Sequence, residues 1–89
     1  MFGFLLGRVA ELLPDRLFLD VNGIGFEVFA SGKTLAGLKK GAEAMLLTHV
    51  NFAQDSVSVF GFATADEKEM FKRAMSVSRV GPKLALAIL

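Results

Sequence analysis

Hydrophobic residues recur along the chain at two different spacings, and the change of spacing divides it. Phe2, Phe4 and Leu6 alternate with Gly3, Leu5 and Gly7, the period-two signature of a strand, and Val9 to Leu13 continues it. The two glycines predict a strand bent hard around a small barrel. Pro14-Asp15 signals a turn, after which Leu17, Leu19 and Val21 alternate with Phe18 and Asp20. Asn22-Gly23 offers the two left-handed positions of a type I′ hairpin, and Ile24, Phe26 and Val28 return along the partner strand. Ser31 caps a short helical turn through Leu38, which Lys39-Lys40-Gly41 breaks, and Ala44 to Val50 reads as a fourth strand. Asn51 to Ser56 reads as a polar loop apart from Phe52 and Ala53. Val57, Val59 and Gly61 then alternate with Ser58, Phe60 and Phe62 in a fifth strand. Five short strands with a small helical insertion between the third and fourth predict a closed or nearly closed β-barrel ending near Ala63. Periodicity does not give the order of strands within it.

From Thr64 the spacing becomes helical. Thr64 followed three residues later by Glu67 is a capping box, so a helix begins near Ala65 and carries Met70, Phe71, Ala74 and Met75 on one side. Glu69 and Arg73 form a favourable i,i+4 pair, whereas Lys68 and Lys72 oppose each other. At Gly81-Pro82 that helix ends and another begins, because glycine permits a corner with positive φ and proline is preset for a first helical turn. The new helix starts with unpaired backbone N–H groups, and Lys83 beside them adds a positive charge, so the corner can hold a phosphate without reading any base. An ordinary helical corner with no ligand is the other reading of these residues.

Composition changes the picture in two respects. A chain of 89 residues buries a limited fraction of its surface, yet 53% of this one is hydrophobic, with nine Phe and a mean hydropathy of +0.51. Either part of its surface meets another chain or the sequence is a fragment of a longer protein, and the uncapped apolar ending Leu84 to Leu89 points to a fragment. The net charge of +1 hides an asymmetry: residues 1 to 64 carry five basic and six acidic groups, and 65 to 89 carry five basic and three acidic. The basic excess lies where the helical corner is, which suits a polyanion. No cysteine is present for a disulfide framework, and one histidine does not make a zinc site, so an intracellular protein without cofactor or metal is expected. The apolar start is broken by Gly7 and Arg8 and lacks a basic leader, which excludes a signal peptide or membrane span.

Several other residues invite chemistry. Ser31-Gly32-Lys33-Thr34 has the ending of a phosphate-binding loop, but the required glycine five positions before Gly32 is Glu27, a carboxylate that repels phosphate. Gly23-Ile24-Gly25 begins a dinucleotide fingerprint whose third glycine falls at Val28, and it reads as a hairpin. His49 is expected to be a hydrogen-bonded structural residue, since no Ser or Asp is spaced to suggest a relay. Phe52, Phe60 and Phe62 are able to stack on single-stranded bases, although core or subunit interface is the better expectation without basic residues among them.

The stretches LDVNGIGFEV at 19–28, LLTHV at 46–50, FGF at 60–62 and VGPKLALAIL at 80–89 together closely resemble the RuvA family of bacterial Holliday junction branch migration subunits. The resemblance runs through all 89 residues. It implies an N-terminal OB-type barrel over residues 1–63, for oligomerisation and facing the junction, followed at 64–89 by the first helix-hairpin-helix of a second, truncated domain. It further implies a non-catalytic cytoplasmic subunit that binds four-way DNA as a homotetramer in recombination and repair. A hexameric RuvB-type ATPase would be the motor, docked through a C-terminal domain that these residues do not include. Carried over residue by residue, Arg79, Val80, Gly81 and Lys83 contact DNA, and Gln54 and Asp55 fall on the family's acidic pin, a pair of acids that keeps crossing strands apart. Two departures stand out. Gln54 leaves one acid where the family has two, and Arg79 replaces a customary glycine, exchanging close backbone approach for a second cation. The rival expectations are an oligomerisation module without DNA binding of its own and, weakest, a nucleotide hydrolase.

Overall fold

The computed structural model describes residues 2–78 and 80–89. Five strands, β1 (Phe4–Leu12), β2 (Arg16–Val21), β3 (Ile24–Phe29), β4 (Glu43–Ala53) and β5 (Ser56–Phe62), close into a barrel in the order β1-β2-β3-β5-β4. All pairings are antiparallel except β3 with β5, a short parallel seam that matches Val28 to Val59 and Phe29 to Phe60. This is the OB-type barrel, with a five-residue helix α1 (Gly32–Ala36) inserted between the third and fourth strands. Helix α1 is shorter than the turn expected through Leu38: Gly37 and Leu38 close it with bonds to the carbonyls of Thr34 and Leu35.

Local chemistry explains the hairpin at β2–β3, where Asn22 and Gly23 take φ of 52° and 90° as a type I′ turn demands, and the Asp20 carboxylate accepts from the Gly23 N–H at 2.8 Å. The inward set on β1 is Leu5, Gly7 and Val9, so Phe4 and Leu6 point outward and are 59% and 50% exposed. The glycine at position 7 is required by packing: a Cβ there would lie 2.4 Å from the Asp20 carbonyl oxygen. A bulge between Val9 and Glu11 adds to the bend of the strand.

Two cores result. Inside the barrel, Leu5, Val9, Leu17, Leu19, Val28 and Leu46 pack together. The second core joins barrel to helices, with Phe29, Phe60 and Phe62 against Phe71 of α2 (Ala65–Ser78) and Ala85 and Leu86 of α3 (Pro82–Ile88). Phe71 is fully buried, and its ring centroid is 5.3 Å from that of Phe60 and 5.0 Å from that of Phe62. Of the side expected to face inward, Ala74 and Met75 join this core, but Met70 is 59% exposed because α2 turns only the stripe around Phe71 to the barrel. Phe60 and Phe62 are therefore core and not base platforms.

Candidate nucleic-acid interface

The corner between the helices begins as a matter of local sequence. Gly81 is the N-cap of α3, Pro82 is its first residue, and the Gly81 carbonyl accepts the first helical bond from Ala85 at 3.0 Å. Gly81 has φ −70° and ψ 165°, which is extended backbone, so the left-handed corner expected from glycine is not formed there. A Cβ at this position would meet nothing within 4 Å. What glycine contributes is an open surface: among the described residues no side chain caps the helix start, and the N–H groups of its first turn are left without a side-chain acceptor. Val80 reaches down into the second core and anchors the corner. Lys83 lies one residue inside the helix, with Nζ 4.6 Å from the centroid of the Phe29 ring. Arg79 lies outside the described residues.

Gln54 and Asp55 are brought to a different place. Strand β1 covers β4 only as far as Leu47, and β3 covers β5 only at Val59 and Phe60. Beyond these the two strands continue alone, through Asn51 opposite Ser58, Phe52 opposite Val57 and Ala53 opposite Ser56. The polar loop expected over Asn51 to Ser56 is thus mostly ladder, because main-chain pairing along the ribbon overrides the low strand propensity of its side chains. Only Gln54 and Asp55 form the turn, both exposed at the tip. Phe52 and Val57 face each other across the ribbon, 62% and 63% exposed. Phe52 thereby parts company with Phe60 and Phe62.

The phosphate-loop resemblance at Ser31-Gly32-Lys33-Thr34 has a structural explanation. Ser31 caps α1 by accepting from the Thr34 N–H at 3.1 Å, and its hydroxyl donates to Glu67 at 2.7 Å. The Thr34 hydroxyl donates to the other Glu67 oxygen at 2.6 Å, which also accepts from the Ala63 N–H at 3.4 Å. An anion does sit at this helix start, and it is the chain's own carboxylate. Thr64 caps α2 by accepting from the Glu67 N–H at 3.2 Å, as its spacing predicts. The capping glutamate, though, reaches across to the barrel instead of back to Thr64.

His49 packs its ring edge-on to Phe71 at 5.4 Å and, among the described residues, forms no side-chain hydrogen bond. Its expected hydrogen-bonded role gives way to packing. Partial burial, followed by the charges of Lys68 and Lys72, lowers the pKa of the imidazole below its ordinary value. Among the described residues no group of three or more His, Asp or Glu side chains is placed to hold a metal, and no helix is long and apolar enough to cross a membrane. Sequence reasoning missed Phe29, which touches Lys83, and the reach of Glu67 to Ser31 and Thr34. The Thr64-Glu67 spacing signals only a cap, and neither contact has a local signal, because Phe29 and Lys83, like Glu67 and Ser31, lie more than thirty positions apart.

Comparison with known proteins bears on the whole arrangement. A profile described as the RuvA N terminal domain matches residues 1–61. The Holliday junction branch migration complex subunit RuvA of Arthrobacter sp. (strain FB24) is 45% identical over 89 residues, covering 100% of this chain and 42% of that protein. The proteins of the same description from Alkaliphilus oremlandii (strain OhILAs) and Chlorobium luteolum (strain DSM 273 / BCRC 81028 / 2530) are 38% and 40% identical, again across 100% of this chain and 46% and 45% of theirs. The chain spans less than half the length of these relatives.

Proposed function

Because the chain belongs to the RuvA family, whose N-terminal domain it carries, we propose that it is a DNA-binding subunit that recognises four-way junctions and supports branch migration by a separate ATP-driven motor. The observation that carries this reading is the uncapped start of α3 beside the exposed ammonium of Lys83. Backbone N–H groups and one cation at an open corner suit phosphate oxygens, which position a duplex without reading its sequence. Val80 and Gly81 shape the contact, and Arg79 supplies a second cation in the same segment. Residues 1–63 serve as the barrel and 64–89 as the first helix-hairpin-helix of a second domain. The role is non-catalytic and cytoplasmic. A RuvB-type hexamer provides the ATPase, engaged through a part of the protein beyond these residues.

The test is binding to a four-way junction in excess unlabelled duplex, at several salt concentrations. Each cation that meets a phosphate contributes about one unit to the slope of log K against log salt, so Lys83→Ala should lower the slope by roughly one. An unchanged slope removes the corner from the DNA site.

At the ribbon tip, Gln54 and Asp55 act as the pin, with one carboxylate in each subunit near the crossing strands. Phe4, Leu6 and Met45 leave an apolar patch on β1 and β4, which supports assembly of the homotetramer and is readable by sedimentation at micromolar concentration, where a monomer throughout would count against it. The same patch favours a second reading, an oligomerisation module without DNA binding of its own. Junction binding that duplex fails to displace separates the two.

A further inference from the structure

Lys83 carries its ammonium on a four-carbon stem with many rotamers, and a phosphate contact needs that charge in one place. The structure supplies a rest for it. Phe29 is the last residue of β3, in the parallel seam opposite Phe60 and in the antiparallel ladder opposite Arg16, so its backbone is held from both sides. Phe29 is only 8% exposed, and its ring lies 5.6 Å from that of Phe60, tilted by 32°. Phe60 leans in turn on Phe71, so the ring is fixed by both the barrel and α2. Lys83 Nζ lies over it at 4.6 Å.

Resting on the reading above that Lys83 meets phosphate, we propose that Phe29 is the positioning residue for this contact, holding the Lys83 ammonium at the corner through the negative face of its ring. A second cation shares the ring: the Arg16 guanidinium carbon is 5.2 Å from the centroid. Arg16, however, is answered within the barrel by Glu27 at 2.7 Å and Asp15 at 3.2 Å, whereas Lys83 forms no ion pair among the described residues. The ring therefore steadies two cations of different standing. One is neutralised in the fold, and the other keeps its donors for a ligand. A cavity of about 220 Å³ is lined by Lys83 and Phe29 together with Pro14, Asp15, Ser31 and Leu86, so the ammonium borders open space at the corner.

Fluorination of Phe29 separates this role from simple packing, because it drains the negative face of the ring with little change of size. The full 89-residue chain, carrying phenylalanine, 4-fluoro-, 3,4,5-trifluoro- or pentafluorophenylalanine at position 29 alone, is titrated with a labelled four-way junction at low salt. Affinity should fall stepwise along the series, by about two- to fivefold in total, the range of an exposed cation–π contact. In the Lys83→Ala background the series should be flat. A flat series in the parent chain, or one that still falls without Lys83, overturns the proposal. If Lys83→Ala leaves junction binding untouched, it is the functional reading that fails. Positioning is then judged on the free protein by NMR: ring-current shifts of the Lys83 ε-methylene that vanish in Phe29→Leu uphold it, and ordinary shifts in the parent chain overturn it.

Discussion

The ribbon tip at Gln54-Asp55 stands on two strands alone, while the corner at Gly81-Lys83 lies against the barrel with Val80, Ala85 and Leu86 packed beneath it. Two unsupported strands are marginal in water, so the tip is the more mobile of the two on physical grounds. The difference matches the role proposed above for each. A carboxylate that repels phosphate acts through a field that changes slowly with distance, and it works from any position near the crossing strands. A cation that grips phosphate acts through hydrogen bonds that fail within a fraction of an ångström. Repulsion tolerates a loose mount and attraction does not.

Removing the mount is the strongest way to break this comparison. Phe71→Ala takes away the ring that ties α2 to Phe60 and Phe62 and should cost about 3–5 kcal/mol, most of the stability of so small a domain. Urea unfolding measures it, and a loss under 1 kcal/mol would mean the helices are not held through this core. Glu67→Ala comes next. It strips the buried hydroxyls of Ser31 and Thr34 of their acceptor, with an expected loss of about 1–3 kcal/mol, whereas Glu67→Gln, which retains one acceptor oxygen, should lose less. Equal losses for the two would show that the acceptor is not what matters.

At the tip, the effects should be on selectivity and not on stability. A carboxylate about 7 Å from a phosphate is repelled by roughly 0.6 kcal/mol in water and roughly 2 kcal/mol at an effective dielectric near 20. Gln54→Glu should accordingly raise the preference for junction over duplex by about threefold or more, and Asp55→Asn should reduce it. Competition binding decides, and if neither ratio moves the tip is a solvated turn. The smallest effect concerns His49, whose native pKa is depressed by burial and by Lys68 and Lys72. The unfolded chain then binds the proton more readily, so stability is full above the unfolded value near 6.5 and declines as pH falls through it toward the native value. Melting temperatures from pH 7.5 down to 5.5 should drop slightly more for the parent chain than for His49→Gln. Identical drops would leave the imidazole without a part in it.

What was legible in the residues was what neighbours decide. Asn22-Gly23, the Thr64 cap and Pro82 each act within a few positions, and each lies where its spacing predicts. The inward face of β1 was not legible, because Phe4, Leu5 and Leu6 are apolar on both sides of the strand and only the close approach at Gly7 selects one. Nor was the ribbon, since its ladder depends on two strands meeting and not on the polarity of either. For the candidate interface, Gly81, Lys83, Gln54 and Asp55 were visible as residues. Their supports were not: Phe29 reaches Lys83, and Glu67 reaches Ser31, only once the barrel has brought distant segments together.

The parallel seam of β3 and β5 also sets an order in time. The three antiparallel hairpins, β1–β2, β2–β3 and β4–β5, join segments separated by a tight turn and can form within microseconds, but the seam pairs residues 28 and 29 with 59 and 60 across the whole insertion. The search entropy of that long loop falls on two residue pairs, so the seam should zip last and open first. Amide exchange would show this as weaker protection at Val59 and Phe60 than at Leu17 and Leu19. Phe29 belongs to that seam, so the support of Lys83 is expected to arrive only with the final act of folding.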